Sequence, residues 1–297
     1  MKASELPLRP DGSIYHLAMQ PGEASHRCLL VGDPGRVAMS EPLFARILHR
    51  RSNREFTWIT GLYKDTLITV IGTGIGADNT EIALIELDAI HNIDLSRGIP
   101  FPTQKKLYLL RIGTSGLLQE DVSLGTAVFS EWAIGVDSLP FFYDEASEKE
   151  LERTFTEYWH KRTGASLPWY ATRASEFFCQ RAQETIKELP WTQGITYSAP
   201  GFFAPQGRSV RLRARFAELP QVLGSFSYAG VKIQNIEMEV APLYYLARLL
   251  GHEAGAICLG VAHRQRGEFV YRDGGFSPEE AMRRLLQLGL DWLRLAP

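Results

Sequence analysis

Cysteine is scarce in this chain of 297 residues, which contains Cys28, Cys179 and Cys258 and no others. The three lie far apart without any CxxC spacing, and Cys28 and Cys258 fall within apolar segments. Disulfide frameworks and cysteine-based zinc sites are built from paired or closely spaced cysteines. The sequence therefore predicts three reduced cysteines in the core, with no disulfide and no metal site.

An excess of charge is also missing, since the formal net charge is −2 and the pI is near 6.4. The nearest approach to a basic cluster is the set Arg208, Arg211, Arg213 and Arg215. A nucleic-acid partner requires a denser stripe of cations that can follow a phosphate backbone. We expect no nucleic-acid partner.

Long apolar runs are absent as well. No segment approaches the roughly 20 apolar residues of a membrane span. Residues 1–11 lack the apolar core of a signal peptide. We expect no membrane partner and a cytoplasmic location.

What the chain does have is an alternation of apolar and amphipathic segments, with 45% hydrophobic residues. This alternation is typical of α/β proteins, and no internal repeat or low-complexity linker interrupts it. We expect one domain over residues 1–297, with a polar, irregular excursion at about 141–189. The predicted strands are 28–31, 56–63, 67–71, 107–110, 126–132, 194–199, 231–235 and 254–262; the predicted helices are 78–91, capped by Asp78 or Asn79, 147–163, 174–188, 239–250 and 278–295; residues 92–106 are predicted to be a loop.

The hexapeptide Arg111-Ile112-Gly113-Thr114-Ser115-Gly116 carries the strongest chemical pattern. It follows an apolar run and is predicted to begin where a buried strand ends. Ligands bind at strand ends in open α/β sheets, where glycine amides approach an oxyanion and a guanidinium holds it bidentately. The hexapeptide therefore favours an anionic ligand.

Two glycine turns follow other predicted strands. Gly32-Asp33-Pro34-Gly35-Arg36 offers an amide and a cation to a phosphate, although the motif alone is more typical of an ordinary turn. Gly72 to Gly76 lacks the further glycine of a dinucleotide fingerprint. The sequence excludes an NAD site.

The loop Phe202 to Arg208 places aromatic faces, the Gln206 amide and the Arg208 cation within seven residues. An amide matches a ring edge with adjacent carbonyl and N–H groups, and a guanidinium stabilises the anion of a departing base. The alternative is a surface loop anchored by its two phenylalanines.

Asn235 to Glu239 places two carboxylates at a strand-to-helix junction. Buried carboxylates need partners, and one of them can accept hydrogen bonds from two vicinal sugar hydroxyls. A carboxylate also stabilises a helix start, which is the alternative for one member of the pair.

Together these segments resemble the nucleoside phosphorylase family that includes uridine phosphorylases and hexameric purine nucleoside phosphorylases. The resemblance extends from about Tyr15 to Arg264 and is nearest to the uridine-specific branch, because Gln206 and Arg208 resemble its uracil-binding loop. Its collinear markers are His16-Leu17, Gly32 to Val37, Arg54-Glu55-Phe56, Thr73 to Gly76, Arg111 to Gly116, Phe202 to Arg208 and Asn235 to Glu239.

The resemblance implies a three-layer α/β domain with a central mixed, partly barrel-like sheet. It also implies a catalytic set of Arg111, Arg208 and Glu239. Phosphate would be held by Gly32, Arg36, Arg111 and Thr114, with Arg54 from a neighbouring subunit. Ribose would contact Thr114, Met238 and Glu239, with His16 from the neighbour, and the base would contact Ser115, Gly116, Phe202, Gln206 and Arg208.

The implied reaction converts a pyrimidine nucleoside and phosphate into free base and ribose 1-phosphate. No cofactor beyond the phosphate co-substrate is expected, and a monovalent cation near Glu55 is left open. The shared site implies a homodimer or a hexamer. A purine phosphorylase using His263, a hydrolytic nucleosidase and a nucleoside-binding protein without activity remain alternatives.

Overall fold

The computed structural model describes residues 2–144, 147–185, 189–273 and 275–297. Most strands lie in one twelve-stranded sheet, and a separate pair, β5 and β6, forms a small hairpin. The strands are β1 (Arg27–Val31), β2 (Arg46–Asn53), β3 (Phe56–Tyr63), β4 (Thr66–Gly72), β5 (Ile93–Asp94), β6 (Ile99–Pro100), β7 (Tyr108–Leu117), β8 (Ala127–Gly135), β9 (Tyr170–Arg173), β10 (Trp191–Ser198), β11 (Ser227–Tyr228), β12 (Val231–Glu237), β13 (Glu253–His263) and β14 (Glu268–Phe269).

The large sheet closes on itself over part of its width. Its order is β11-β12-β10-β8-β13-β7-β1-β4-β3-β2, and an additional pairing of β12 with β7 joins the two ends of a five-strand stretch in that order. Strands β12, β10, β8, β13 and β7 therefore form a closed ring, in which parallel and antiparallel pairs both occur. This confirms the mixed, partly barrel-like α/β sheet.

The helices pack against this sheet through apolar faces. Helix α8 contacts β7, β1, β13 and β4, and α6 lies between α2 and the barrel strands. Two clusters of buried side chains fill the space between helices and strands. The helices are α1 (Pro34–Ser40), α2 (Ala77–Asn92), α3 (Lys149–Thr163), α4 (Glu176–Thr185), α5 (Leu219–Gly224), α6 (Val240–Leu250), α7 (Val270–Asp273) and α8 (Pro278–Arg294).

Helix ends follow local chemistry. At the start of α8, the Ser277 hydroxyl accepts a hydrogen bond from the Glu280 N–H, and Pro278 occupies the first turn. Helix α3 ends at Gly164 in the left-handed conformation that glycine adopts without strain. In the described part of the chain, no helix is both long and apolar enough to cross a bilayer.

Three local predictions are wrong. The hexapeptide from Arg111 lies inside β7, since Gly113 and Gly116 stay extended and allow neighbouring side chains to approach closely. The N-cap of α2 is Gly76, not Asp78 or Asn79, which lie within the helix. The segment 92–106, predicted to be a loop, contains the strands β5 and β6. Some elements were not predicted from the sequence at all: α1, β2, β9, α5, β11, β14 and α7.

The stretch 141–189 contains α3, β9 and α4, close to the predicted helices; of the predicted 174–188, residues 186–188 lie outside the described residues. Strand β9 pairs with β8, and the rings of Phe155 and Phe178 are fully buried. The described part of this stretch is thus built into the sheet and core. One domain with an inserted excursion stays a prediction.

Candidate active site

A pocket of about 900 Å³ opens where β1, β7, β12 and β13 end or bend. Every residue predicted for the site lines it, except His16 and Arg54. Its size is typical of small-molecule sites, which bury most of the ligand. The motifs found separately along the chain therefore converge on one cavity.

One end of the pocket gathers two guanidinium groups beside a glycine backbone. Arg36 Nη2 lies 3.4 Å from the Thr114 hydroxyl oxygen. A Cβ added to Gly32 would lie 3.6 Å from Arg111 Nη2, so the Gly32 backbone and Arg111 are close neighbours. This arrangement of two cations, a hydroxyl and a loop backbone suits a phosphate dianion.

Arg111 is buried and is held by carboxylates. Its Nη2 donates to Glu239 Oε2 at 2.5 Å, and its Nε lies 3.7 Å from Glu237 Oε2. Burial lowers the pKa of Arg111, but the charges of Glu239 and Glu237 outweigh burial and raise it overall. Burial and the Arg111 charge lower the pKa of Arg36. Arg111 is therefore fixed as a cation on the pocket wall.

The two glutamates of β12 and its helix junction have different roles. Glu237 accepts hydrogen bonds from the backbone N–H groups of Glu239 and Val240 and from the Ser198 hydroxyl. Glu239 instead accepts from the Gly76 N–H at 2.8 Å and from Arg111, and it lines the pocket. The prediction that one of the pair stabilises the helix start is confirmed for Glu237.

Glu237 titrates unusually because it is fully buried beside a second carboxylate. Burial and the Glu239 charge raise its pKa to about 7. The folded protein therefore holds a proton on this carboxyl at a pH where the unfolded chain, with a value near 4.5, has lost it. Folding then becomes less favourable as the pH rises between these two values.

We expect Glu237→Gln to remove this pH dependence. Relative to the variant, the wild type should lose roughly 3 kcal/mol of unfolding free energy as the pH rises from about 4.5 through 7 to about 8, with no further change above. Urea unfolding of both proteins across this range measures the difference. Parallel curves for the two proteins would contradict the raised pKa.

The base-side wall is formed by Phe202, Gln206 and Arg208. Arg208 lies over the Phe202 ring at 3.9 Å, and its Nη1 donates to the Phe202 carbonyl at 2.6 Å and to Gln206 Oε1. Gln206 is buried, whereas the Phe202 ring is half exposed. Burial and the charge of Arg264 lower the pKa of Arg208 to about 10, which leaves it cationic at neutral pH.

His263 has a structural explanation that the sequence alone did not give. Its Nδ1 accepts a hydrogen bond from the Arg266 N–H, so the ring hydrogen is on Nε2, which donates to the Gln119 carbonyl at 2.9 Å. Both ring nitrogens are therefore already occupied in a buried position. This removes the feature on which the purine alternative depended.

His16 and Arg54 lie outside the pocket of their own chain. His16 Nδ1 is 2.7 Å from Glu86 Oε1, and Arg54 Nη2 donates to the Tyr15 hydroxyl at 2.7 Å. Arg54 is exposed, and the adjacent Glu55 lines the pocket. Neither side chain therefore enters the pocket of its own chain.

Sequence reasoning missed two contributors to the pocket. Arg264 Nη2 donates to the Gln206 carbonyl at 3.0 Å, and the Arg264 side chain covers Gly116. The Gly74 to Gly76 turn supplies the backbone N–H that binds Glu239. Arg264 could have been found from its position as a cation just after the predicted strand 254–262. The hydrogen bond from the Gly76 N–H to Glu239 joins residues 163 positions apart, so the local sequence gave no sign of it.

Comparison with known proteins identifies the family. The family model of the phosphorylase superfamily matches residues 26–290. The chain belongs to this superfamily. Its relatives are nucleoside phosphorylases, and the expectation of a pentosyltransferase of the nucleoside phosphorylase family, whose substrates are nucleoside and phosphate, is confirmed.

Relatives within the superfamily differ in the bases they are named for. A uridine phosphorylase of Thermococcus kodakarensis is 30% identical over 90% of this chain and 83% of its own. A DeoD-type purine nucleoside phosphorylase of Streptococcus suis is 29% identical over 82% and 83%. The crystal structure of a Trypanosoma brucei nucleoside phosphorylase, described as showing uridine phosphorylase activity, has 29% identity and a TM-score of 0.82, covering 98% of this chain and 100% of that one.

Proposed function

We propose that this enzyme cleaves a pyrimidine nucleoside, uridine first, by phosphorolysis to free base and ribose 1-phosphate. The observation that carries the proposal is the Gln206 and Arg208 pair in the same pocket as Arg36 and Arg111. Arg208 occupies the Gln206 carbonyl, which leaves the Gln206 amide N–H groups to donate to a base carbonyl. Uracil presents two such carbonyls.

In the proposed reaction, Arg36, Arg111, Thr114 and the Gly32 amide hold phosphate below the anomeric carbon. The C1′–N bond breaks with both electrons leaving on the base, and a phosphate oxygen forms the new bond to C1′. Glu239 binds the ribose hydroxyls and Met238 packs under the sugar. Arg208 stabilises the negative charge that collects on the departing base.

The alternatives fit the pocket less well. A hydrolytic nucleosidase has little use for two guanidiniums gathered at the phosphate end. A purine phosphorylase would need a group at the base edge, and the His263 ring nitrogens are already engaged. Inorganic phosphate is proposed as co-substrate with no further cofactor; a monovalent cation near Glu55 and a cytoplasmic location stay predictions.

Base release measured by ultraviolet absorbance, from uridine and from inosine, with and without phosphate, tests the proposal. We expect cleavage of uridine that requires phosphate and exceeds that of inosine. Faster cleavage of inosine would contradict the assignment of Gln206 and Arg208 to uracil. Phosphate-independent release would identify a nucleosidase, and binding without turnover would identify a nucleoside-binding protein.

We further propose that His16 and Arg54 complete the pocket of a neighbouring copy, in a homodimer or a hexamer. Both lie outside their own pocket, where His16 is held by Glu86 and Arg54 by Tyr15. Sedimentation at assay concentrations should find the activity in an oligomer and none in a monomer. An active monomer would contradict this arrangement.

A further inference from the structure

Four buried polar side chains form a continuous hydrogen-bonded row across four strands of the barrel. They are Ser130 on β8, Thr196 on β10, Asn235 on β12 and Ser115 on β7. The first three are fully buried, and Ser115 lines the pocket. The resemblance assigns Ser115 to the base, and the proposed reaction has no use for the other three.

Three hydrogen bonds between side-chain atoms connect the four residues of the row. The Ser130 and Thr196 hydroxyl oxygens are 2.5 Å apart, and the Thr196 hydroxyl donates to Asn235 Oδ1 at 2.7 Å. Asn235 Nδ2 then donates to the Ser115 hydroxyl oxygen at 2.9 Å. Every member thus contacts the next through one polar atom.

Each buried hydroxyl hydrogen needs an acceptor, and this requirement decides which member of the row donates to which. In the direction just given, Ser130 donates to Thr196, Thr196 donates to Asn235, and the hydrogen of Ser115 alone is left over, beside the pocket. If the Asn235 amide were turned, Ser115 would donate inward, and the Ser130 hydrogen would have no acceptor among the described residues at a fully buried position. Buried hydroxyl hydrogens are almost always bonded, so the first direction is favoured.

We propose that Thr196 and Asn235 are positioning residues that hold the Ser115 hydroxyl as a hydrogen-bond donor toward the base. Ser115 then selects a base that presents an acceptor atom, such as a carbonyl oxygen, and disfavours an N–H at that point. Because charge collects on the carbonyl oxygens of the departing base, a preset donor strengthens its hydrogen bond as the C1′–N bond breaks. This inference rests on the proposed function and adds a determinant of base specificity to it.

Asn235→Asp reverses the row without changing its shape. The ionised carboxylate introduced by this substitution accepts from both Thr196 and Ser115, which draws the Ser115 hydrogen out of the pocket. At pH 8 we expect kcat for uridine to fall by about 10- to 100-fold, with KM for phosphate changed by about twofold at most. Once protonated, the same carboxyl group can donate to Ser115 again, so the activity relative to wild type should rise as the pH falls.

Two further variants separate this role from a structural one. In a Ser115→Ala background, Asn235→Asp should have no additional effect beyond about twofold, because the hydrogen it redirects is gone. Ser130→Ala is the matched control, since Thr196 still donates to Asn235 and the direction of the row is unchanged. If the Asn235→Asp variant does not fold, Thr196→Val replaces it, because the Asn235 amide then loses its fixed donor and can turn.

The kinetic results distinguish the inference from the proposed function on which it rests. Loss of kcat that is absent in the Ser115→Ala background and recovers in acid supports the inference. Full activity of Asn235→Asp at pH 8, or an equal loss without Ser115, overturns it while leaving the proposed function intact. A wild type that does not cleave uridine refutes the proposed function instead, and uracil affinity measured by calorimetry on wild type and Asn235→Asp then tests the row alone.

Discussion

Replacing Arg111 with lysine is expected to lower kcat/KM for phosphate by about 100-fold or more. Arg111 is a buried guanidinium that binds Glu239 through Nη2 and lies beside the Gly32 backbone. A lysine keeps the charge but has one compact ammonium group, which cannot bridge Glu239 and a phosphate in the same fork geometry. Because a cation remains next to the carboxylates, the variant avoids the larger disruption of a buried uncompensated charge.

Steady-state kinetics with varied phosphate measure this effect. Arg27→Lys is the matched control, since Arg27 donates to the Ala296 carbonyl through Nε and Nη2 and lies outside the pocket. The control should change kcat/KM by about twofold at most. If Arg111→Lys raises KM for the nucleoside alone and leaves the phosphate dependence unchanged, Arg111 does not bind phosphate.

Replacing Arg208 with alanine should reduce turnover far more than phosphate binding. Arg208 is the cation at the base end of the pocket, where it packs on Phe202 and bonds Gln206. Its charge is needed as the base leaves with the electron pair. We therefore expect kcat for uridine to fall by about 10- to 100-fold, while KM for phosphate changes severalfold less.

The leaving group offers an independent check on Arg208. A uracil with a 5-fluoro substituent forms a more stable anion and needs less help, so the loss caused by Arg208→Ala should be smaller with 5-fluorouridine. Arg211→Ala is the matched control, because Arg211 is exposed three positions further along the chain and does not line the pocket. Equal losses in kcat and in phosphate binding would contradict the role assigned to Arg208.

Much of the pocket could be predicted because its chemistry is local in sequence. Arg36 follows a glycine turn at the end of β1, and Gln206 and Arg208 stand two positions apart in one loop. The residue types and spacing of such short motifs indicate their chemistry without knowledge of the tertiary structure. Most predicted strands were also correct, since their apolar runs are continuous.

The contacts that fix the pocket could not be predicted, because their partners are distant in sequence. Arg111 and Glu239 are 128 positions apart, and Ser115 and Asn235 are 120 apart. Periodicity reports which face of an element is buried, not which atom across the sheet it meets. The bonds that engage His263 and the strand that continues through Arg111 to Gly116 were missed for the same reason.

In the proposed reaction phosphate, not water, attacks the sugar. Uridine incubated with the enzyme and phosphate carrying ¹⁸O in all four oxygens tests it directly, with the sugar product analysed by mass spectrometry. We expect ribose 1-phosphate that retains all four labelled oxygens, since a phosphate oxygen forms the bond to C1′. Free ribose carrying an unlabelled oxygen from water would contradict it.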